Sequence, residues 1–384
     1  MKNDFNNVLS LIKNHKLKDS IQALDSILNE DNKNFVAFHL RGICFFRLLD
    51  FENAKKDFNK AIFIKPNFPE VYNNLGLLNF NIGENKIAIE NFLKAIELNK
   101  NFIVPVLGLI KTLSYTKFEH DHDSIFISKH NQINNIKIQY SENNYIDDDD
   151  IKKLIIKSNE VLKNDFDNLE FNSTQIYRRS KNDLDCKRHK KVFDTYNVIP
   201  KFCFSCFKVQ IELENIIDLI KLYLIFDNIN FKNNNTKKCL IEIRPKISGH
   251  YKGLIYCSSL QEAEEIREEM KKLTNLNLNK EVKCIVKRGC TEYGIKFPKY
   301  TNLNNDILDY KPEWENFENT IDKNYPDLII HKNNNSTIKG ISLNDILIIR
   351  NWLAYADIIG DNNYKKISNQ KFQSSFLQKK LKLN

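Results

Sequence analysis

Along the first third of the chain, small and apolar side chains return every 34 residues. Phe38, Gly42, Phe45, Ala54, Phe58, Ala61 and Pro66 are matched, one period later, by Tyr72, Gly76, Asn79, Ala88, Phe92, Ala95 and Lys100. A fixed period of this length marks stacked helical hairpins, each unable to bury its apolar face without a neighbour. The offsets have a packing reason. Gly42, Gly76, Ala54 and Ala88 are small where the two helices of a hairpin come closest, and the rings at 38, 58, 72 and 92 fill the space between hairpins. Pro66 stops the second helix of its unit, because it has no N–H to continue the ladder. A degenerate unit with Val8, Ser20, Leu24 and Ile27 precedes, and a half unit with Val106, Leu109 and Ile110 follows.

Beyond residue 118 the pattern changes. Residues 119–150 break the helical period and hold 8 acidic against 2 basic side chains, so they read as a partly ordered acidic linker. His120, His122 and His130 lie there beside Asp121 and Asp123, either as a metal cluster or, lacking an apolar frame to fix ligand geometry, as a solvated stretch. Asp148 to Asp150 then open an amphipathic helix with Ile151, Leu154, Ile155, Ser158 and Leu162 on one face. Alternation follows at 207–213, 237–244, 251–258 and 281–290, with helical segments after the first and third runs. That order is βαββαβ, the split βαβ or ferredoxin-like plait. Its expected open face carries Lys208, Gln210, Glu242, Arg244, Leu254, Tyr256, Lys283 and Lys287. A helix around 314–324 and a largely apolar one after Ser342 complete an α+β domain over 151–363, and a basic tail at 364–384 reads as a mobile end.

The 34-residue units resemble the tetratricopeptide repeat family over about residues 1–118. Arg41 stands where that family has Leu, Asn79 where it has an aromatic, and Lys100 where it has Pro. The resemblance implies an all-α solenoid whose groove binds a protein or peptide partner, and hence an adaptor or scaffold. No two-lysine carboxylate clamp can be assigned in it. For the second domain the resemblances are thinner. KGLIYCSS at 252–259 is similar to the longer signature of the RNA-recognition motif at Lys252, Gly253 and Tyr256, and departs from it at Leu254 and Ser259. Nucleic acid is therefore an alternative partner.

Composition bounds these readings without deciding among them. With 42% apolar residues the chain can bury a core, and no run approaches the length of a membrane span. The first twenty residues lack the basic and then unbroken apolar regions of a secretory signal, which points to the cytoplasm. The net charge of +9 is spread through a Lys- and Asn-rich chain, with one local excess at 174–208, where 9 basic residues face 3 acidic ones.

That basic segment holds the most chemical motif. Cys186 and His189 are spaced CxxH, and Cys203 and Cys206 are spaced CxxC, which is the ligand set of a closed, structural zinc site. Buried free thiols and a redox pair are the alternatives, and Phe202, Phe204 and Phe207 favour the first of these. Arg178, Arg179, Lys287 and Arg288 would clamp an anion, Glu242 or Glu292 would serve as acid or base, and Cys290 as nucleophile, with Tyr256 nearby. If the second domain is an enzyme, these residues should converge on one pocket. If it is a binding module, they should be dispersed.

Overall fold

The 34-residue period becomes seven antiparallel helices in the computed structural model, which describes residues 2–118, 124–137, 145–163, 165–166, 169–178, 186–244, 247–328 and 336–381. They are α1 (Lys2–Lys13), α2 (Leu17–Glu30), α3 (Phe35–Arg47), α4 (Phe51–Ile64), α5 (Pro69–Asn81), α6 (Asn85–Leu98) and α7 (Ile103–Leu113). After these come α8 (Ile125–Asn134), α9 (Asp148–Leu162), β1 (Gln175–Arg178), α10 (Cys186–Tyr196), β2 (Phe207–Leu213), α11 (Ile216–Asn228), β3 (Lys237–Ile241) and β4 (Tyr251–Cys257). The chain continues through α12 (Leu260–Leu278), β5 (Lys283–Arg288), α13 (Glu315–Asn324), α14 (Leu343–Ile359), α15 (Tyr364–Ile367) and α16 (Ser375–Leu381).

Two units divide this chain, and neither is continuous. The first combines Met1–Thr112 with Asp183–Pro200 and Lys311–Asn334, and the second holds the remainder.

In the first unit the repeated glycines face repeated rings. A Cβ on Gly42 would lie 2.6 Å from the Phe58 ring, and one on Gly76 or on Gly108 would lie 2.6 Å from the Phe92 ring. Only glycine lets each pair of helices close to that distance. The turns inside the hairpins repeat as well: His15, Leu49 and Gly83, 34 residues apart, all take positive φ (58°, 66° and 87°). Gly83 does so without a steric cost that the other two bear. Asn34 caps α3 by accepting from Ala37 N–H, Asp50 caps α4 by accepting from Asn53 N–H, and Pro69 opens α5. Arg41 departs from the repeat's Leu with a purpose, since its guanidinium donates both to Asp25 on α2 and to Asp57 on α4.

The second unit is built on a five-stranded antiparallel sheet of order β1-β3-β4-β2-β5. Alternation decides its faces. Val209, Ile211, Cys239, Ile255 and Val286 lie on one side, where α11 and α12 pack and touch each other. A Cβ on Gly253 would meet Leu222 of α11 at 2.3 Å, so the middle strand carries glycine where the helix presses closest. β1 was not anticipated, and it extends the sheet beyond β3. β3 ends at Ile241 and β5 at Arg288, shorter than their alternating runs. α14 is locked to the lead-in of β1: Trp352 Nε1–H donates to Thr174 O, and Asn351 donates to Phe171 O and Ser173 O. A capping box between Ser342 and Asp345 starts α14 and Gly360 at φ 79° ends it.

Helices are also found in the linker, which was expected to be partly ordered, and in the tail. Within the linker, residues 125–134 form α8, because Ile127, His130 and Ile133 are buried at helical spacing. His130 Nδ1 accepts from Leu343 N–H, and burial lowers its pKa to about 4, so the ring is neutral. His120, His122, Asp121 and Asp123 lie outside the described residues. In the tail, α15 and α16 bury Tyr364, Ile367 and Leu377 instead of trailing free.

Candidate functional site

The first helix of each hairpin carries a mixed row of side chains. On α3, His39 is buried with its ring edge-on to Phe68 at 4.9 Å, and on α5 the Asn74 amide donates to His39 Nε2 at 2.7 Å. Burial pushes the His39 pKa down to about 4, which keeps Nε2 free to accept. Beside it Asn73 donates to Asn74, while its own carbonyl oxygen is buried with no hydrogen-bond partner among the described residues. Further along α5, Phe80 carries the Lys111 ammonium of α7 over its ring at 5.2 Å. Ile103 and Val104 at the start of α7 are about half exposed. A surface of this kind offers amide donors and acceptors, a cation over an aromatic face and exposed aliphatic groups. It suits an extended or helical peptide better than a small polar metabolite.

Sequence-distant helices belong to this same unit. α10 presents Lys187, Arg188, Lys190 and Lys191, and α13 presents Glu315, Glu318 and Asp322. Arg188 clasps the two carboxylates of α13, donating to both oxygens of Asp322 at 2.6 and 2.8 Å and to Glu318 at 2.9 Å. The Tyr196 and Phe317 rings pack at 4.9 Å. Tyr325, which closes α13, sets its ring 5.3 Å from His15 and 4.5 Å beneath the Lys191 ammonium. The following turn, Pro326–Leu328, lies against α3. The helix at 314–324 was legible in the sequence; α10 and its pairing with α13 were not, because Cys186 and His189 read there as ligand spacing and not as part of an amphipathic helix.

In the second unit the residues expected to form a catalytic or anion site divide: Arg178 is buried in a centre of its own, whereas Glu242 and Glu292 share Arg244, and Lys287, Cys290 and Glu292 lie near Lys208. Arg178 is buried on the helix side of β1, donating to Asp227 and Tyr223 of α11, to Gly340 O and to Asp345 of α14. Burial opposes its charge, but Asp345, Tyr223 and Asp227 more than offset this and hold its pKa above the ordinary value. It is a structural ion centre with no access for a substrate. Arg179 lies outside the described residues. On the other side of the sheet, Glu242 accepts both guanidinium nitrogens of Arg244 at 2.8 Å and approaches Lys252 at 3.4 Å. Burial alone would raise the Glu242 pKa, but Arg244 and Lys252 outweigh it and keep the carboxylate ionised. Glu292 reaches Arg244 at 2.8 Å.

Tyr256 also faces that side, half-buried, with the Lys238 ammonium between its ring (5.8 Å) and that of Tyr177 (5.4 Å). The central positions around it are closed, since Lys208, Gln210, Lys252 and Leu254 are all buried. Lys208 donates to Gly289 O at 2.8 Å, and burial lowers its pKa as it does that of Lys287. Arg288 lies on the opposite face, over the Phe207 ring at 4.5 Å, and donates to Phe204 O.

The cysteines are likewise placed as core groups. Cys203 stands in a short 3-10 turn, Lys201–Ser205, and not at the start of β2, and its thiol donates to the Tyr293 hydroxyl at 3.9 Å. Contact with Cys290 and then burial push the Cys203 pKa far up, and burial beside Cys290 raises that of Cys206 to about 12. Without a bound cation, such thiols are neutral and poor nucleophiles. Cys186 is exposed at the start of α10 and His189 is buried one turn later, both in the first unit, whereas Cys203 and Cys206 belong to the second. Among the described residues, no group of three or more His, Cys, Asp or Glu side chains is placed to hold a metal ion. A polar cavity of about 470 Å³ is lined by Phe166, Glu170, Phe171, Arg350 and Gln378, and none of the anticipated residues reaches it. Among the described residues no helix is long and apolar enough to cross a membrane.

Residues 69–102, which are α5, α6 and their flanking turns, match the tetratricopeptide repeat family. The solved structures that the chain is similar to include the first TPR domain of Spaghetti (RPAP3) bound to the HSP90 peptide SRMEEVD. Identity to it is 22%, covering 28% of this chain and 85% of that one, with a TM-score of 0.27. The Sgt2 TPR domain from Aspergillus fumigatus is 18% identical over 32% of this chain and 89% of that one, with a TM-score of 0.28. MamA is 26% identical over 29% and 70%, with a TM-score of 0.25. No curated protein sequence matches the chain.

Proposed function

We propose that this protein, whose helical array is built of tetratricopeptide repeats, is a protein-binding adaptor that holds a peptide segment of its partner on the side of the array lined by α3, α5 and α7. The observation that carries this reading is the row from His39 through Asn74 and Asn73 to Phe80 and Lys111. It combines amide hydrogen-bonding groups with an aromatic anchor and a cation on successive hairpins, as a peptide's backbone and side chains require. The Spaghetti TPR domain, with its bound HSP90 peptide, is an instance of the same use of hairpins.

For the second unit, the strand order β3-β4-β2-β5 with α11 and α12 on one face supports the ferredoxin-like plait, with β1 added at its edge. The burial of Arg178 in an ion centre and the engagement of Glu242 and Glu292 by Arg244 support a scaffold over an enzyme acting on an anionic or delivered protein substrate. The buried centre of the outer face gives little support to base stacking by Tyr256.

The test substitutes Leu77, which is half-buried on α5 beside this row, by Glu in the full chain. Proteins retained by the wild type and depleted at least about tenfold by Leu77→Glu, with helix content unchanged, carry the adaptor reading. Identical retention by both proteins sinks it.

A further inference from the structure

A segment from far along the chain, Lys311–Asn334, belongs to the same unit as the array. α13 is joined to α10 by one charged clasp, in which Arg188 grips the carboxylates of Glu318 and Asp322. At its end Tyr325 uses a side chain of the array itself, His15, in the turn between α1 and α2. Lys191 completes the seat from the other side. Pro326 then bends the chain so that Pro326–Leu328 lies on α3, next along the array from that turn.

We infer that the corner made by His15, α3 and α10 is a recognition site for an acidic helix closed by an aromatic–proline pair, and that residues 315–328 are its resident occupant. A partner segment of the same chemistry binds by displacing them. This deepens the adaptor reading and rests on it, since it gives one class of partner to the same array. The resident segment combines buried groups, Glu318 and Ile321, which a displacing segment of the same chemistry must replace in kind, with partly solvated contacts that can exchange first. The Asp322 side chain of the ion pair is about one third exposed, and the tyrosine contributes one edge-on ring contact and one cation over its face. Each such contact is individually weak. Arg188 and Lys191 lie on the receiving side, so they serve the incoming helix as they serve α13.

The experiment measures binding of a fluorescein-labelled synthetic peptide with the sequence of residues 311–328 to the full chain by fluorescence anisotropy. Tyr325→Ala loosens the resident segment and leaves the receiving surface intact. It should bind the peptide about tenfold more tightly than the wild type, as expected for loss of a ring pair and a cation–π contact. Asp322→Asn, a smaller change on the same segment, should give a gain of about two- to threefold. Adding His15→Ala to Tyr325→Ala should return the affinity toward the wild-type value. Equal affinity of wild type, Tyr325→Ala and Asp322→Asn, or no binding by any of them, overturns the inference. Either result leaves the Leu77→Glu comparison standing. Conversely, a tighter peptide complex with Tyr325→Ala, beside unchanged retention in Leu77→Glu, would sink the adaptor row on α5 alone.

Discussion

The two units solve the burial problem at different ranges along the chain. In the array, each helix packs on its neighbours in sequence, and the same ring-on-glycine contact is made again 34 residues later. In the second unit, the strand order β1-β3-β4-β2-β5 interleaves distant segments, and the charge of Arg178 is balanced by Asp227 and Asp345, 49 and 167 residues away. Local repetition leaves a trace that one sequence can show. Long-range pairing does not, because the partner of a strand or of a buried charge is chosen by topology.

The comparison is sharpened most by removing one central group from each unit. Phe92→Ala empties the site shared by Gly76 and Gly108 and should cost about 3–5 kcal/mol. Hydrogen exchange should rise through α5, α6 and α7 together, as nearest-neighbour coupling in a repeat stack requires. Arg178→Met should cost a similar 3–5 kcal/mol, because it leaves Asp227 and Asp345 buried without their cation. Its exchange signature should fall on β1, α11 and α14. If each variant loosens both units equally, the division between them is not energetic.

Acid separates the units more gently. His39 in the array and His130 in the second unit both have pKa values lowered by burial to about 4, below the ordinary value near 6.5. The unfolded chain therefore binds the proton first. Stability is full above about pH 6.5 and is lost as the pH falls from there toward 4, by about 2–3 kcal/mol for each ring. His39→Gln should remove the acid sensitivity of the array and His130→Gln that of the second unit, read by denaturant midpoints at pH 7 and pH 5. The smallest effect belongs to the turns. Gly83→Ala should cost about 1 kcal/mol, because it places a Cβ at φ 87°, the cost that His15 and Leu49 already carry.

How much was legible follows the same division. The hairpins could be read from Gly42, Gly76, Phe58 and Phe92 because period and residue size agree. The alternating runs announced β2 to β5, since each has one apolar face. β1 escaped because four residues, QIYR, are too few to display alternation. Its arginine looked like an anion clamp because Asp227 and Asp345 are remote in sequence. α8 was hidden in acidic linker composition, although Ile127, His130 and Ile133 recur at a helical spacing. The CxxH and CxxC spacings suggested one site, but a spacing says nothing about whether two segments enter the same unit, and here Cys186 and Cys203 do not.

The scattered make-up of the first unit has a consequence for how the protein is born. On a ribosome the seven repeat helices are finished well before α13, since roughly 200 residues separate Thr112 from Lys311. At about 5–20 residues per second, that interval lasts on the order of 10–40 s. During its first part α10 is missing as well; once Asp183–Pro200 has been made, the first unit lacks only the segment that contains α13 and Tyr325, and the corner around His15, α3 and α10 faces the cell uncovered. A partner that engages during translation meets no competitor there, whereas one that arrives afterwards must contend with the resident helix. Timing of synthesis, and not affinity alone, then decides which chains are occupied.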